Sequence, residues 1–249
     1  MSDHEHFDNK SPLEHIIEAR KKGRSVSAEV HGIEMPGHMA AFSDSLKEVS
    51  FLFLLLITLF PLLSISETKT FAFLALFCAS LLIWKCGRSQ LLGAARMERL
   101  KRLSQEEISE IEHHPEQETL ELRALYEAKG LSGKLLDQVV TVLMADKNRA
   151  LMVMLEEEMA IPLEAYEHPL KQASGALFGI LLGSAILLAT TYFFSYTPAA
   201  FASGILVVVA SYISVRIEGN RAIEACVWNL ALLGLSTGAI FFLSEIFLP

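Results

Sequence analysis

Cysteine is scarce: the 249 residues hold only three, Cys78, Cys86 and Cys226. All three fall in or beside apolar runs and at no metal-ligand spacing. That argues against a disulfide framework or a thiolate metal site, and leaves them as small buried hydrophobes. A phosphate loop is missing too, because GLSGK at 130–134 is too short for one and nothing else resembles a nucleotide site. Positive charge is in deficit, with 21 Lys+Arg against 29 Asp+Glu and a net charge of -8. Such a balance argues against nucleic acid and for cations as partners. Residues 1–38 lack the apolar stretch of a cleavable signal peptide, so the first apolar run would itself target the chain. Between Gly87 and Ser104 there is no proline, and a helix can run through that stretch unbroken.

What the chain has in quantity is apolar surface. Hydrophobic residues make up 52% and mean hydropathy is +0.38, yet 20% of residues are charged. The two kinds must therefore be segregated along the chain, as in an integral membrane protein with a substantial aqueous part. The negative charge is segregated as well: residues 96–167 hold 16 acidic against 9 basic side chains, nearly the whole excess.

Five stretches are long enough to cross a hydrocarbon core of ~30 Å: about 39–65, 71–84, 173–196, 199–215 and 222–247. The second is short, with Thr68 and Lys69 placed in a turn before it, and its helix is expected to continue into the polar segment. Pro198 fits a tight connection between the third and fourth. Lys and Arg flank one side, at Arg20, Lys21, Lys22, Arg24, Lys85, Arg88, Arg96, Arg99, Lys101, Arg102, Lys171, Arg216 and Arg221, whereas the opposite loops hold only Lys69. The positive-inside rule then puts the N-terminus and the polar segment in the cytoplasm and the C-terminus outside. The organisation predicted is an all-α membrane protein: an N-terminal tail (1–38), transmembrane helices 1 and 2 (39–95), a cytoplasmic insert of three to four helices (96–168) and transmembrane helices 3 to 5 (169–249).

The insert carries the chemistry. Two Glu-x-x-Glu pairs, Glu107/Glu110 and Glu118/Glu121, sit on successive helices broken at the His113-His114-Pro115 run; Gly130 ends the second helix, and a later helix ends with Met154 and Glu158 at i,i+4. Hard oxygens and one soft sulfur on packed helices can form a divalent-metal site. Carboxylates alone suit Mg2+, Ca2+ or Mn2+; adding a thioether points to Fe2+, with Mn2+, Co2+, Ni2+ or Zn2+ also accommodated. The competing reading is an ordinary solvated acidic face, since Glu-x-x-Glu is a weak motif. His113 and His114 offer outer ligands or a solvated helix end. The N-terminal Ser2-Asp3-His4 could wrap Cu2+ or Ni2+ if Met1 is removed, or belong to a plain polar tail.

The stretch EISEIEHHPEQETLE (107–121), followed by MLEEEMAI (154–161), resembles the vacuolar iron transporter family. In that family an ExxE follows the extended second span, then come Pro, two residues and a second ExxE, then a helix ending Met-Met-x-x-x-Glu-Leu-Gly-Leu. The resemblance implies metal ligation by Glu107, Glu110, Glu118, Glu121, Met154 and Glu158; the pattern's second Met is Leu155 here. It also implies five transmembrane helices, a homodimer, a cytoplasmic three-helix metal-binding domain and proton-coupled export of Fe2+ or similar ions. The family's first-span Ser-Asp-Gly-Leu is similar to FSDSL at 42–46, which makes Asp44 the intramembrane ligand or proton carrier, with Glu48 next. Ser45 replaces the glycine, and Lys47 could simply pair with Asp44. In the second span, Ala79, Leu82 and Ile83 stand where Met, Gly and Glu would be.

The function expected is transport of Fe2+ or Mn2+ in exchange for protons across a bilayer: the cell membrane if bacterial, a vacuolar-type membrane if eukaryotic. The alternative is a membrane-anchored metal sensor or storage protein without transport. An enzyme of the di-iron carboxylate type is not expected, because Glu110/His113 is a single copy of the Glu-x-x-His pair such a centre repeats.

Overall fold

A computed structural model describes residues 35–63, 65–159, 161 and 167–247. The Ser2-Asp3-His4 motif and the Arg20–Arg24 cations lie outside the described residues. Those described are helical throughout, with no strand among them. They form two compact units, one of residues 35–63, 65–94 and 167–247, the other of residues 95–159 and 161.

The first unit is apolar and contains helices long and apolar enough to cross a membrane: α1 (Gly37–Leu62), the first part of α2 (Glu67–His113), α6 (Pro169–Phe193), α7 (Tyr196–Glu218) and α8 (Ala222–Phe247). α2 runs 47 residues without a break, about 70 Å at 1.5 Å per residue. It therefore outlasts any bilayer core, and its polar second part belongs to the other unit. Two connections differ from the expectation. Thr68 and Lys69 lie in the first turn of α2 rather than in a turn before it, because the Thr70 amide already bonds the Ser66 carbonyl and Glu67 complements the positive helix start. Pro198 sits in the first turn of α7, where a missing amide costs nothing. The chain reverses instead at Phe194-Ser195, with Ser195 at φ 131.

α1 is the centre of this unit and packs most extensively on α6, then on α7. Leu46, Val49, Phe53 and Ile57 of α1 share a core with Leu74, Cys78 and Leu81 of α2 and with Ile180, Leu187, Leu206 and Ala210. Gly175, Gly179 and Gly183 recur every four residues on α6, and a Cβ on any of them would collide with α1, at His38 O, Phe42 O and Val49 Cγ1 respectively. Lipid offers no hydrophobic drive between helices, so such small-residue contacts supply the packing. The Ser43 hydroxyl adds a cross-link, donating to Ala210 O at 2.9 Å and meeting Ser214 Oγ. Gly179→Leu is therefore expected to destabilise the purified protein by about 1–3 kcal/mol or more. Gly238→Ala, where an added Cβ meets nothing, should be near neutral; thermal unfolding in detergent distinguishes the two.

Where the chain re-enters the unit, the Glu167 carboxylate caps α1. It accepts from the His38 amide at 2.8 Å, faces the His38 ring at 2.7 Å and pairs with Lys171 Nζ at 2.9 Å. Partial burial alone would raise its pKa, but these bonds outweigh it and hold the carboxyl below its ordinary value.

Candidate metal centre

The second unit is built from the end of α2, then α3 (Pro115–Ala128), α4 (Gly133–Met144) and α5 (Lys147–Val153), which passes into a π-turn over Met154–Glu158. Each boundary has a local cause. His114 precedes a proline and leaves helical geometry at φ -129, ψ 46, and Pro115 then opens α3. Gly130, at φ 94, closes α3 in a Schellman motif, with Gly130 N–H bonded to Glu127 O and Leu131 N–H to Tyr126 O. Asp146 caps α5 by accepting from the Arg149 amide at 2.9 Å. Two apolar clusters hold the helices together: Leu122, Leu136, Val140 and Met154 in one, Leu103, Leu155, Met159 and Ile161 in the other.

Against this apolar packing stand four buried carboxyl side chains. Glu107 and Glu158 are 1% exposed, Glu118 and Glu121 0%. Their sequence neighbours Glu106, Glu116 and Glu156 face solvent. A solvated acidic face is thus the wrong description of these four. Glu107 from α2, Glu118 from α3 and Glu158 from the π-turn each bring one carboxylate oxygen within 4.8 Å of the others. The ligand oxygens of a single ion, bonded at about 2.0–2.6 Å, lie within about 4–5 Å of one another. The trio is accordingly close to the size a divalent cation needs. Glu107 Oε1 is buried and makes no hydrogen bond to any described residue, leaving an acceptor that a cation would satisfy.

The electrostatics agree with the geometry. Burial, reinforced by the charges of Glu118, Glu110 and Glu121 and by a hydrogen bond to Glu118, pushes Glu107 up to about 9. Burial, then the charges of Glu107, Glu121, Glu118 and Glu110, pushes Glu158 up to about 10. Like-charged groups crowded out of water hold protons until something more positive replaces them. At the exposed rim the opposite holds: Lys147 bonds Glu112 at 2.9 Å and keeps its carboxyl below the ordinary value. Arg123 meets Asp137, and Lys129 meets Glu157.

Of the six residues singled out by sequence, three form the trio. Glu121 and half-buried Glu110 stand outside it, near enough to raise both Glu107 and Glu158. Met154 is fully buried in the Leu122 cluster, one π-turn before Glu158. The exposed His113 ring turns back to its own helix at Ser109 O, 2.7 Å away. The π-turn has no signal in the spacing; its wide turn, closed by Met159 N–H to Met154 O, carries Leu155, Met154 and Glu158 all into the interior. Asp44 and Glu48 belong to α1 in the apolar unit. Asp44 is half-buried with Lys47 Nζ at 3.9 Å, and Glu48 meets Lys85 Nζ of α2 at 2.7 Å.

The model of the VIT family matches residues 91–244, more than half of the chain and all of the glutamate trio. The chain belongs to the VIT family, the vacuolar iron transporters. No curated protein matches it. VIT family proteins are membrane transporters of metal ions rather than enzymes, and a multi-pass integral membrane protein with an acidic trio able to take a metal is what this member presents. The matched segment begins in α2, so Asp44 and Glu48 on α1 lie outside it.

Proposed function

We propose that this VIT family member exports Fe2+ or Mn2+ from the cytoplasm in exchange for protons, with residues 96–168 as a cytoplasmic domain that captures the ion. Glu107, Glu118 and Glu158 are its first ligands, Glu110, Glu121 and Met154 complete the shell, and Asp44 and Glu48 of α1 line the membrane path. The observation that carries this reading is the buried trio, whose raised pKa values mean that an arriving divalent ion must displace protons. Zn2+, Co2+ and Ni2+ would fit the same donors less selectively. The cation asymmetry of the loops supports a cytoplasmic N-terminus and an outward C-terminus. A homodimer in the bilayer, with α1 of each copy along the path, completes the proposal. Its membrane is the inner membrane of a bacterium or a vacuolar-type membrane of a eukaryote.

A second reading has one specific observation behind it. Both acidic side chains of α1 face lysines, at 3.9 Å and 2.7 Å, as they would in a membrane-anchored metal sensor or storage protein that moves nothing. Liposomes holding the purified protein and a pH dye decide between them. The carrier acidifies or alkalises the lumen when Fe2+ or Mn2+ is added under a gradient. An anchored binder leaves lumenal pH unchanged under every gradient.

A further inference from the structure

Lys85 stands where α2 leaves the apolar core. Leu74, Cys78 and Leu81 of the same helix are buried in that core, and Lys85 follows one turn later with its side chain only 13% exposed. Counted from the helix start at Glu67, it lies about 27 Å along the axis, at the edge of a hydrocarbon core of ~30 Å. A lysine at such a depth needs a partner. Its Nζ lies 2.7 Å from Glu48 Oε2, whereas the neighbouring Lys47 and Asp44 make a looser pair, 3.9 Å apart on successive turns of one helix. On the turn before Lys85, the side chains of Leu81, Leu82 and Ile83 offer no ligand atom.

A divalent ion and an ammonium cannot both sit against one carboxylate without strong mutual repulsion. Any ion that uses Glu48 must first move the lysine, and the four-carbon stem gives Lys85 the freedom to move and return. We propose that Lys85 is a tethered counter-cation of the membrane path: its ammonium occupies Glu48 between transport events, yields to the arriving metal and returns to expel it. This rests on the transport reading above and adds the group that sets the affinity and the release of the ion at Glu48. The tether keeps this partly exposed carboxylate neutralised when no cargo is present, and it stops the path from trapping metal.

The test compares initial rates of Mn2+ uptake into liposomes by the wild-type protein, Lys85→Leu and Lys85→Arg. Without the competing ammonium the ion binds Glu48 more tightly and leaves more slowly, so Lys85→Leu should lower KM about tenfold and kcat at least as much. Lys85→Arg keeps the charge and should hold KM near the wild-type value. A Lys85→Leu variant that loses kcat with KM unchanged or raised, or that behaves as Lys85→Arg does, overturns the proposal in favour of a packing role. Should Lys85→Leu fail to fold, Lys85→Gln carries the same expectation. A second arm is independent of transport: Mn2+ bound to the full chain is counted by electron paramagnetic resonance in a Glu107→Gln, Glu118→Gln, Glu158→Gln background. Adding Lys85→Leu should create one bound Mn2+ per chain, and adding Glu48→Gln should remove it. No gain of bound Mn2+ overturns the proposal. A wild-type protein that moves no metal sinks the transport reading, and the counting arm then decides alone whether Lys85 blocks a cation site at Glu48.

Discussion

Glu158→Gln should weaken Mn2+ binding to the full-length protein by roughly 100-fold, about 2.8 kcal/mol, and at the same time stabilise the metal-free protein at alkaline pH. Both effects come from one cause. Glu158 is 1% exposed and shares its site with Glu107, Glu118, Glu121 and Glu110. Its carboxyl is pushed from an ordinary 4.5 up to about 10, and that of Glu107 to about 9. A carboxyl whose folded pKa lies above its unfolded value keeps its proton in the fold and gives it up in the unfolded chain throughout the window between the two. Protons then favour the fold, and stability falls as pH rises through that window. The thermal midpoint of the metal-free wild-type protein should therefore drop steadily from pH 5 to pH 9. Glu158→Gln cannot ionise at that position, so its midpoint should fall less and lie above the wild type at pH 8. Mn2+ at a concentration that just saturates the wild type should restore its midpoint and move that of the variant far less. Calorimetry and thermal unfolding at matched pH read both halves. A variant that binds as the wild type does, with the same pH profile, would mean that Glu158 is no ligand.

The second large effect concerns Asp44. Asp44→Asn is expected to reduce metal flux roughly 100-fold or more, corresponding to about 2.7 kcal/mol of barrier, while Mn2+ binding by the trio stays at its wild-type value. The amide keeps the volume of the side chain but loses the charge that, on the proposed path, would draw a divalent ion into a low-dielectric region and exchange it for a proton. Half-buried Asp44 lies 3.9 Å from Lys47, and the thermal midpoint of Asp44→Asn, expected at the wild-type value, checks that the fold is intact. Parallel measurements of flux in liposomes and of binding in detergent separate the outcomes. Wild-type flux from Asp44→Asn would reduce the residue to a surface partner of Lys47. Loss of both flux and binding would point to a damaged fold.

Sequence carried the fold further than it carried the site. Apolar length marked the membrane-competent helices, the proline-free stretch after Gly87 foretold that α2 would run on, and His113-His114-Pro115 and Gly130 marked the breaks in the acidic segment, because backbone chemistry acts at the residue that bears it. Burial of the glutamates was not legible. Glu106 and Glu107 are adjacent, yet one is solvated and the other sealed. Helical spacing alone leaves open which face of α2 turns inward, and the apolar residues that decide it, Leu103 of α2 and Leu155 of the π-turn, lie far apart in the chain. The π-turn was hidden for a related reason: an extra residue per turn is imposed by packing both Met154 and Leu155 inward, and has no residue signature of its own. Pro198 misled because proline marks a helix start as readily as a turn. The Glu48–Lys85 pair joins two helices across a register that spacing cannot supply.

Proton release on metal binding tests the exchange site most directly. With Glu107 raised to about 9 and Glu158 to about 10, both are protonated at pH 7, and an ion that takes them as ligands must discharge about two protons. Titrating the full-length protein with Mn2+ in weak buffer at pH 7, with an indicator dye counting protons, should give that release in the wild type and lose it when Glu107, Glu118 and Glu158 are all replaced by Gln. Binding without proton release, or an unchanged release from the triple variant, would contradict the account.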